Sequence, residues 1–143
     1  MAKQISKREA RPILEHILAN YAGKLRIAVC VMNAHGHIVA STLLPKSPRR
    51  AHIADNARRR AWTSRWTGLE TRFGEEIEKV LMVRRLRRNR DEVIDTEPGG
   101  IPLIINGVLV GAIGVSGSGV NHDLAAHGQE YFLRLRQKEE EAS

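Results

Sequence analysis

The sequence of 143 residues has little cysteine, few aromatic side chains and no long apolar run. The single cysteine, Cys30, excludes an internal disulfide and is typical of a reducing compartment. Aromatic residues make up only 4% of the chain, so the core must consist of aliphatic side chains. No segment reaches the length of a membrane span, and the first residues lack the apolar stretch of a signal peptide. We therefore expect a soluble, cytoplasmic protein with no membrane partner.

Acidic residues are scarce relative to basic ones, with 16 Asp and Glu against 23 Lys and Arg, and the formal charge is +7. Such an excess favours an acidic partner, which is a nucleic acid, a membrane surface or an anionic small molecule. Much of the excess lies in the run from Arg84 to Arg90. This run lacks the interleaved aromatic residues of a single-strand binder. We interpret it as a solvated face or an oligomer contact, and nucleic-acid binding is the less favoured prediction.

Common catalytic and metal-binding motifs are absent, including Gly-rich phosphate loops and a Ser-His-Asp pattern. His35 and His37 flank a turn, but no third ligand follows them, and we predict no metal site. Cys30 lies within an apolar run, which favours a core residue over a nucleophile. The length fits a single domain, residues 1–143, without repeats or linkers.

The periodicity of apolar residues predicts four helices, over residues 6–22, 51–66, 75–88 and from 121 onward. Ser6 and Glu9 have the spacing of a capping box at the start of the first helix. Pro12 conflicts with that start, so this helix either begins nearer Glu9 or is kinked. The second helix carries small residues at steps of three and four, which would let it approach a sheet closely.

Apolar and β-branched runs predict about five strands, over residues 26–32, 37–44, 92–96, 101–105 and 108–115. Gly36 suits the turn of a first hairpin, and Asn106-Gly107 is a strong signal for a second one. The order of the elements predicts an α+β fold. It consists of a five-stranded, largely antiparallel sheet flanked by helices, as an α/β/α sandwich.

The stretch from Pro98 to Gly117 is the most informative part of the sequence. It opens with Pro98-Gly99-Gly100, a turn with almost no side chain to block a ligand or another backbone. Gly111 and Gly114 interrupt the following apolar strand, and glycines there mark a bulge or the close approach of another group. Two interpretations stay open, a hairpin packed tightly under a helix and the floor of a ligand pocket.

From Pro98 onward the chain reads PGGIPLIINGVLVGAIGVSGSGVNHDLAAHG, and this stretch resembles the GlcG/HbpS-like family, which includes the C-terminal domain of PduO. The segments IAVCVMNAHGHIVA and ADNARRRAWTSRWTG are similar to the family's first hairpin and small-residue helix, so the resemblance covers nearly the whole chain. It implies a five-stranded antiparallel sheet flanked by helices, and a homo-oligomer. Some members bind haem and others lie beside catabolic operons, which implies an accessory protein that binds haem or a related anionic small molecule.

The same resemblance implies a ligand cleft beside the Pro98-Gly99-Gly100 turn. The ligand-binding residues that it implies are Asn33, His52, Arg60, Thr63, Pro98, Gly99, Gly100, Ser116 and Gly117. Asn33 stands where the family has Asp, which removes a carboxylate base, and Arg60 stands where it has Lys, which keeps the charge. If haem binds, the candidate axial ligands are His16, His52 and His122.

Three functions follow as hypotheses, and we favour the first. It is non-enzymatic binding of haem or a similar flat anion, with Arg60 pairing the propionates. The second is a small enzyme acting on a carboxylate intermediate, of the tautomerase, hydratase or decarboxylase type. There Arg60 would hold the carboxylate, and backbone amides of the Pro98-Gly99-Gly100 turn and of Ser116-Gly117 would stabilise an oxyanion or enolate. A histidine, His52, would move the proton. The third is binding of nucleic acid or an acidic partner through Arg84 to Arg90.

Overall fold

Eight helices and strands make up the part of the chain that the computed structural model describes, which is residues 2–21, 26–84 and 94–142. In chain order they are α1 (Lys7–Ala19), β1 (Ile27–Asn33), β2 (Ile38–Leu44), α2 (Ala51–Thr67), α3 (Gly74–Arg84), β3 (Gly100–Ile105), β4 (Val108–Ser116) and α4 (Asn121–Ala142). The predicted helix over 75–88 is confirmed as far as Arg84. The basic run beyond Arg84 lies outside the described residues.

The start of α1 confirms the capping box. Ser6 Oγ accepts from the Glu9 amide at 3.3 Å, and the Ser6 amide donates to Glu9 Oε1 at 3.2 Å. The helix begins at Lys7 with Pro12 inside it, which rules out the first of the two alternatives, a start nearer Glu9. Glu9 also forms a 2.5 Å ion pair with Arg136 of α4, which joins the start of α1 to the last helix.

The sheet contains four antiparallel strands in the order β2-β1-β4-β3, and not the five that the sequence and the resemblance predicted. Residues 94–96 of the expected fifth strand form a loop, while 92 and 93 lie outside the described residues. The physical reason lies in Asp95, whose amide donates to Thr63 Oγ1 of α2 at 3.0 Å instead of joining a strand ladder. The α+β class and the antiparallel pairing are confirmed.

Helices cover both faces of the sheet, as an α/β/α sandwich requires. On one face α1 and α4 pack over an aliphatic cluster that includes Ile13, Ile17 and Ile113, with Phe132 as its largest side chain. On the other face α2 packs over small residues such as Ala28, Cys30 and Ala112. The prediction of an aliphatic core is therefore confirmed. No helix of the described ranges is both long enough and apolar enough to cross a bilayer.

Tight turns connect the strands as the glycines predicted. Asn106 and Gly107 have φ angles of 49° and 78°, which is the geometry of a type I′ turn between β3 and β4. Gly36 has a φ of 85° in the turn between β1 and β2. Gly68, with a φ of 72°, ends α2 in a left-handed cap. Local sequence thus specifies both hairpin turns and the end of α2.

Candidate ligand-binding site

Helix α2 lies unusually close to β4 and β3, and this approach explains the glycines of the central hairpin. A Cβ atom at Gly114 would lie 1.9 Å from the carbonyl oxygen of Ala57. A Cβ at Gly100 would lie 2.5 Å from the carbonyl oxygen of Arg60. The stripe of small residues on α2 and the glycines of the hairpin therefore form one contact, and the prediction that these glycines mark a close approach is correct.

Arg60 is drawn into this contact and is only 7% exposed. Its Nε donates to Asp95 Oδ2 at 3.1 Å, and its Nη1 donates to the carbonyl oxygen of Val115 at 2.9 Å. The ion pair is buried on both sides, since each side chain is 9% exposed. Within the described residues, the third nitrogen, Nη2, makes no hydrogen bond. Arg60 thus joins α2, β4 and the loop before β3, and it keeps one donor unengaged.

Two threonines attach the loop of residues 94–99 to the rest of the site. Thr63 Oγ1 accepts from the Asp95 amide at 3.0 Å, and Thr71 Oγ1 donates to the Glu97 carbonyl oxygen at 2.6 Å. The amide of Gly100 donates to Thr71 Oγ1 at 2.8 Å. Because this amide is already engaged, it is not available to stabilise an oxyanion, which the enzyme hypothesis required.

A cleft of about 320 Å³ opens beside this loop, and we call it the Arg60 cleft. Its lining consists of Arg60, Glu97, Pro98, Gly119, Val120, Asn121, His122 and Asp123. The last three form the first turn of α4, and their backbone N–H groups donate to no acceptor among the described residues. Nδ1 of His122 is buried and also has no partner there. Several polar groups at this cleft therefore lack a partner within the described part of the chain.

Charges of both signs surround the Arg60 cleft. The guanidinium of Arg60 and the positive end of the α4 dipole favour a negative group. The carboxylates of Glu97 and Asp123 line the same cleft and oppose a second negative group. The arrangement suits a compact anionic group placed at the start of α4, and it disfavours a ligand that is negative along its whole length.

The structure brings together only part of the predicted site. Arg60, Pro98 and His122 line the cleft, and Thr63 supports it from behind. Gly99 has a φ of 137°, and a Cβ there would lie 3.2 Å from Arg60 Cδ and 2.2 Å from the Val115 carbonyl oxygen. Gly99 and Gly100 therefore serve backbone packing beneath Arg60. Asn121, Glu97 and Asp95 belong to the site as well, although the sequence patterns did not mark them.

Other predicted residues lie away from the cleft. The buried hydroxyl of Ser116 donates to the Ile53 carbonyl oxygen, and Gly117 packs against the Ile53 side chain. His52 is exposed on the first turn of α2 and does not line the cleft. Asn33 Oδ1 accepts from the amides of residues 35 and 37, at 2.9 and 3.1 Å, and so shapes the first hairpin turn.

His16 lies on the opposite face of the sheet, between α1 and α4. Its ring stacks on Tyr131 with 4.5 Å between centroids, and the ring of His127 is 6.3 Å away. Burial lowers the pKa of His16, and the charges of Arg134 and His127 lower it further, against a smaller opposing effect of Glu130. Among the described residues, no group of three or more His, Cys, Asp or Glu side chains has the geometry to hold a metal ion.

A second cleft, of about 530 Å³, lies on the other flank of α2, between that helix and the edge strand β2. We call it the β2 cleft. Its lining consists of Val29, Cys30, Ile38, Ser41, Thr42, Leu43, Lys46, Ala51, Ala54, Asp55 and Arg58. Burial raises the pKa of the Cys30 thiol to about 12, so the thiol stays protonated and unreactive. This agrees with the prediction of Cys30 as a core residue.

Comparison with known proteins places the chain among haem-related folds. A family model described as "Haem degrading protein HbpS-like" matches residues 5–128. A Klebsiella pneumoniae protein called ORFY, of the DUF336 family, has a similar structure, with a TM-score of 0.74, 18% identity and 92% of each chain covered. No curated protein gives a significant match to the sequence.

Two further solved structures resemble this chain over most of its length. One is a complex of PduOC with haem, at a TM-score of 0.70 and 18% identity, covering 90% of this chain and 94% of that one. Another is a double mutant of HbpS from Streptomyces reticuli, at a TM-score of 0.71 and 17% identity, covering 91% and 88%. At these identities the likeness establishes the fold.

Proposed function

The chain belongs to the HbpS-like haem-degrading family, and from that premise we propose that it binds haem, or a related small anion, in the Arg60 cleft. The observation that carries the proposal is the set of unengaged groups at this cleft. They are the first backbone amides of α4, Nδ1 of His122 and Nη2 of Arg60. Nδ1 of His122 is buried, so a ligand that supplies a partner for it removes the cost of leaving it unpaired, and the same ligand can accept hydrogen bonds from the helix amides and from Arg60.

A carboxylate is the group that these donors fit best. The N-terminus of a long helix offers amides and a positive dipole end, and a guanidinium adds a charge-assisted hydrogen bond. Arg60 is held in place by Asp95 and Val115 before any ligand arrives, so little side-chain entropy is lost on binding. In a haem complex, Arg60 and the start of α4 would hold one propionate.

His122 is the residue that we assign to the iron of haem. Its imidazole is the only one lining the Arg60 cleft in the described part of the chain, and imidazole is a common iron ligand. Bound haem would supply iron-centred redox and ligand chemistry, while the protein positions it and limits its access to water. A cleft of about 320 Å³ would enclose one edge of the macrocycle and leave the rest at the surface.

Titration of the protein with haemin tests this proposal through the Soret absorbance band. We expect saturable binding of haemin. His122→Ala should weaken this binding at least tenfold and should shift the Soret maximum. His52→Ala is the matched control, because His52 is an exposed histidine outside the cleft, and it should bind haemin unchanged. If His16→Ala removes the band and His122→Ala does not, haem binds at the α1–α4 face and the site assignment is wrong.

The enzymatic alternative has less support. The Gly100 amide is engaged by Thr71, and His52, which would have moved the proton, lies outside the cleft. We therefore propose a binding protein and not a catalyst for carboxylate intermediates. Assembly into a homo-oligomer, which the family resemblance implied, stays part of the proposal, and light scattering of the purified protein tests it.

A further inference from the structure

The β2 cleft shares no lining residue with the Arg60 cleft, although both border α2. At about 530 Å³ it has the volume of a site for a small organic molecule. It lies open at the edge of the sheet, where β2 has a neighbouring strand on one side only. A ligand bound there would therefore contact none of the residues that line the proposed haem site.

The β2 cleft exists because α2 carries small side chains on this flank. Ala51 and Ala54 lie one turn apart and face the strand, and neither is large enough to reach it. Opposite them are apolar side chains of the sheet, including Leu43 and Ile38, and Ile38 is 47% exposed. Apolar surface that water covers in the free protein favours an apolar ligand group of matching size.

Charge at the rim of the cleft selects among apolar ligands. Arg58 is paired with Asp55 at 2.7 Å, so these two charges balance each other. Lys46 has no ion-pair partner among the described residues and lies two positions after the end of β2. The lining therefore carries one unbalanced positive charge, together with the hydroxyl of Ser41, which lies on the same face of the sheet as Cys30. One free ammonium beside an apolar floor is complementary to a single carboxylate.

We propose that the β2 cleft is a binding site for a monoanion with a compact apolar body, such as a medium-chain aliphatic carboxylate. The apolar part lies on Leu43 and Ala54, and the carboxylate pairs with Lys46. The lining contains no imidazole, and its one thiol, Cys30, is protonated, so the ligand is one that needs no metal coordination. This class differs from the haem-type ligand of the Arg60 cleft.

Calorimetric titration with octanoate, and with octanol as its uncharged counterpart, tests the proposal. We expect one saturable octanoate site. Ala54→Phe fills the cleft and should weaken both ligands at least tenfold, whereas Lys46→Met should weaken octanoate about tenfold and leave octanol unchanged. Lys7→Met is the matched control, because Lys7 lines a smaller cleft on the other face of β2. It should leave both affinities unchanged.

Three outcomes would overturn the proposal. One is octanoate affinity that survives both Ala54→Phe and Lys46→Met. Another is octanoate binding that His122→Ala abolishes, which would move the ligand to the Arg60 cleft while leaving the haemin result intact. The third is an oligomer that both octanoate and Ala54→Phe dissociate in light scattering, which would identify the cleft as a subunit contact. If Ala54→Phe does not fold, the exposed Lys46→Met variant still decides the question.

Discussion

The two clefts beside α2 differ in how the same helix meets the sheet. On the β3 side the helix presents a long, charged side chain, Arg60, which is fixed by a buried partner before any ligand arrives. On the β2 side it presents alanines, and the gap that they leave is apolar with charges at its rim. Hydrogen bonds thus hold the Arg60 cleft in place before binding, whereas the β2 cleft is space that the small alanine side chains leave unfilled. Selectivity in the first depends on charge geometry, and in the second on shape and burial.

The largest effect is expected from Gly114→Ala, which disrupts the close contact between α2 and β4 on which both clefts depend. A Cβ would lie 1.9 Å from the Ala57 carbonyl oxygen, so α2 must move away from β4. We expect a loss of about 3 kcal/mol or more in the free energy of unfolding, measured by urea denaturation. Gly74→Ala is the control, because a Cβ there meets Thr96 at an ordinary 3.7 Å. Equal stability of the two variants would contradict the close approach of α2.

The next prediction compares how much the ion pair of each cleft contributes to the free energy of unfolding. Asp95→Asn leaves Arg60 buried without its charge partner, and we expect a loss of about 3 kcal/mol in the free energy of unfolding. Asp55→Asn breaks a pair whose side chains are 40% and 50% exposed, and it should change stability by less than about 0.5 kcal/mol.

Asp95→Asn should strengthen ligand binding, although it lowers the stability of the protein. The freed guanidinium should raise the affinity of the Arg60 cleft for carboxylates several-fold, measured by calorimetry, while octanoate binding in the β2 cleft stays unchanged. A less stable variant that binds its anion more tightly is a signature that general unfolding cannot produce. Weaker binding in both clefts would show that the loop of residues 94–99 has collapsed.

A smaller effect is expected from the acidic residues of the Arg60 cleft. Glu97→Gln and Asp123→Asn each remove a negative charge beside the anion site, and each should tighten carboxylate binding about threefold at low salt. The gain should shrink as salt is added, since these side chains are exposed. Glu76→Gln, an exposed change on α3, is the control and should have no effect. A salt-independent gain would indicate a change in shape and not in charge.

The smallest effect involves His16, which borders neither cleft. Its pKa is lowered in the folded protein, so the unfolded chain takes up the proton first as the pH falls. The stability associated with the neutral ring is present above pH 6.5 and is lost as the pH falls from that value through the lower folded pKa. His16→Gln should therefore reduce the loss of stability between pH 7.5 and 5.5, in urea denaturation at both values. His52→Gln should leave that loss unchanged.

Local signals predicted most of the fold. The capping box at Ser6, the turn at Asn106-Gly107 and the small-residue stripe of α2 each depend on residues only a few positions apart. The prediction of a fifth strand was wrong because Asp95 forms hydrogen bonds with Thr63 and Arg60, which lie more than 30 residues earlier in the chain. The strand propensity of residues 92–96 carries no information about those distant partners.

The candidate site was predictable only in part for the same reason. Arg60 and Pro98 emerged through the family resemblance, and their presence at one cleft agrees with it. Asp95 and Thr71 were missed, because a buried acid and a threonine in a loop become distinctive only when the partner's position is known. His52 and Asn33 were also implied by the resemblance, and the tertiary structure places both outside the Arg60 cleft.

The protonated thiol of Cys30 provides a way to measure how often the structure around it opens. Cys30 is the only cysteine of the chain, is 2% exposed and has a pKa raised to about 12. An alkylating reagent at neutral pH should therefore react with it only when the contact between α2 and the sheet opens. The rate of thiol loss then measures how often that contact opens and is insensitive to fraying at the termini. A ligand that stabilises either cleft should slow the loss of the thiol.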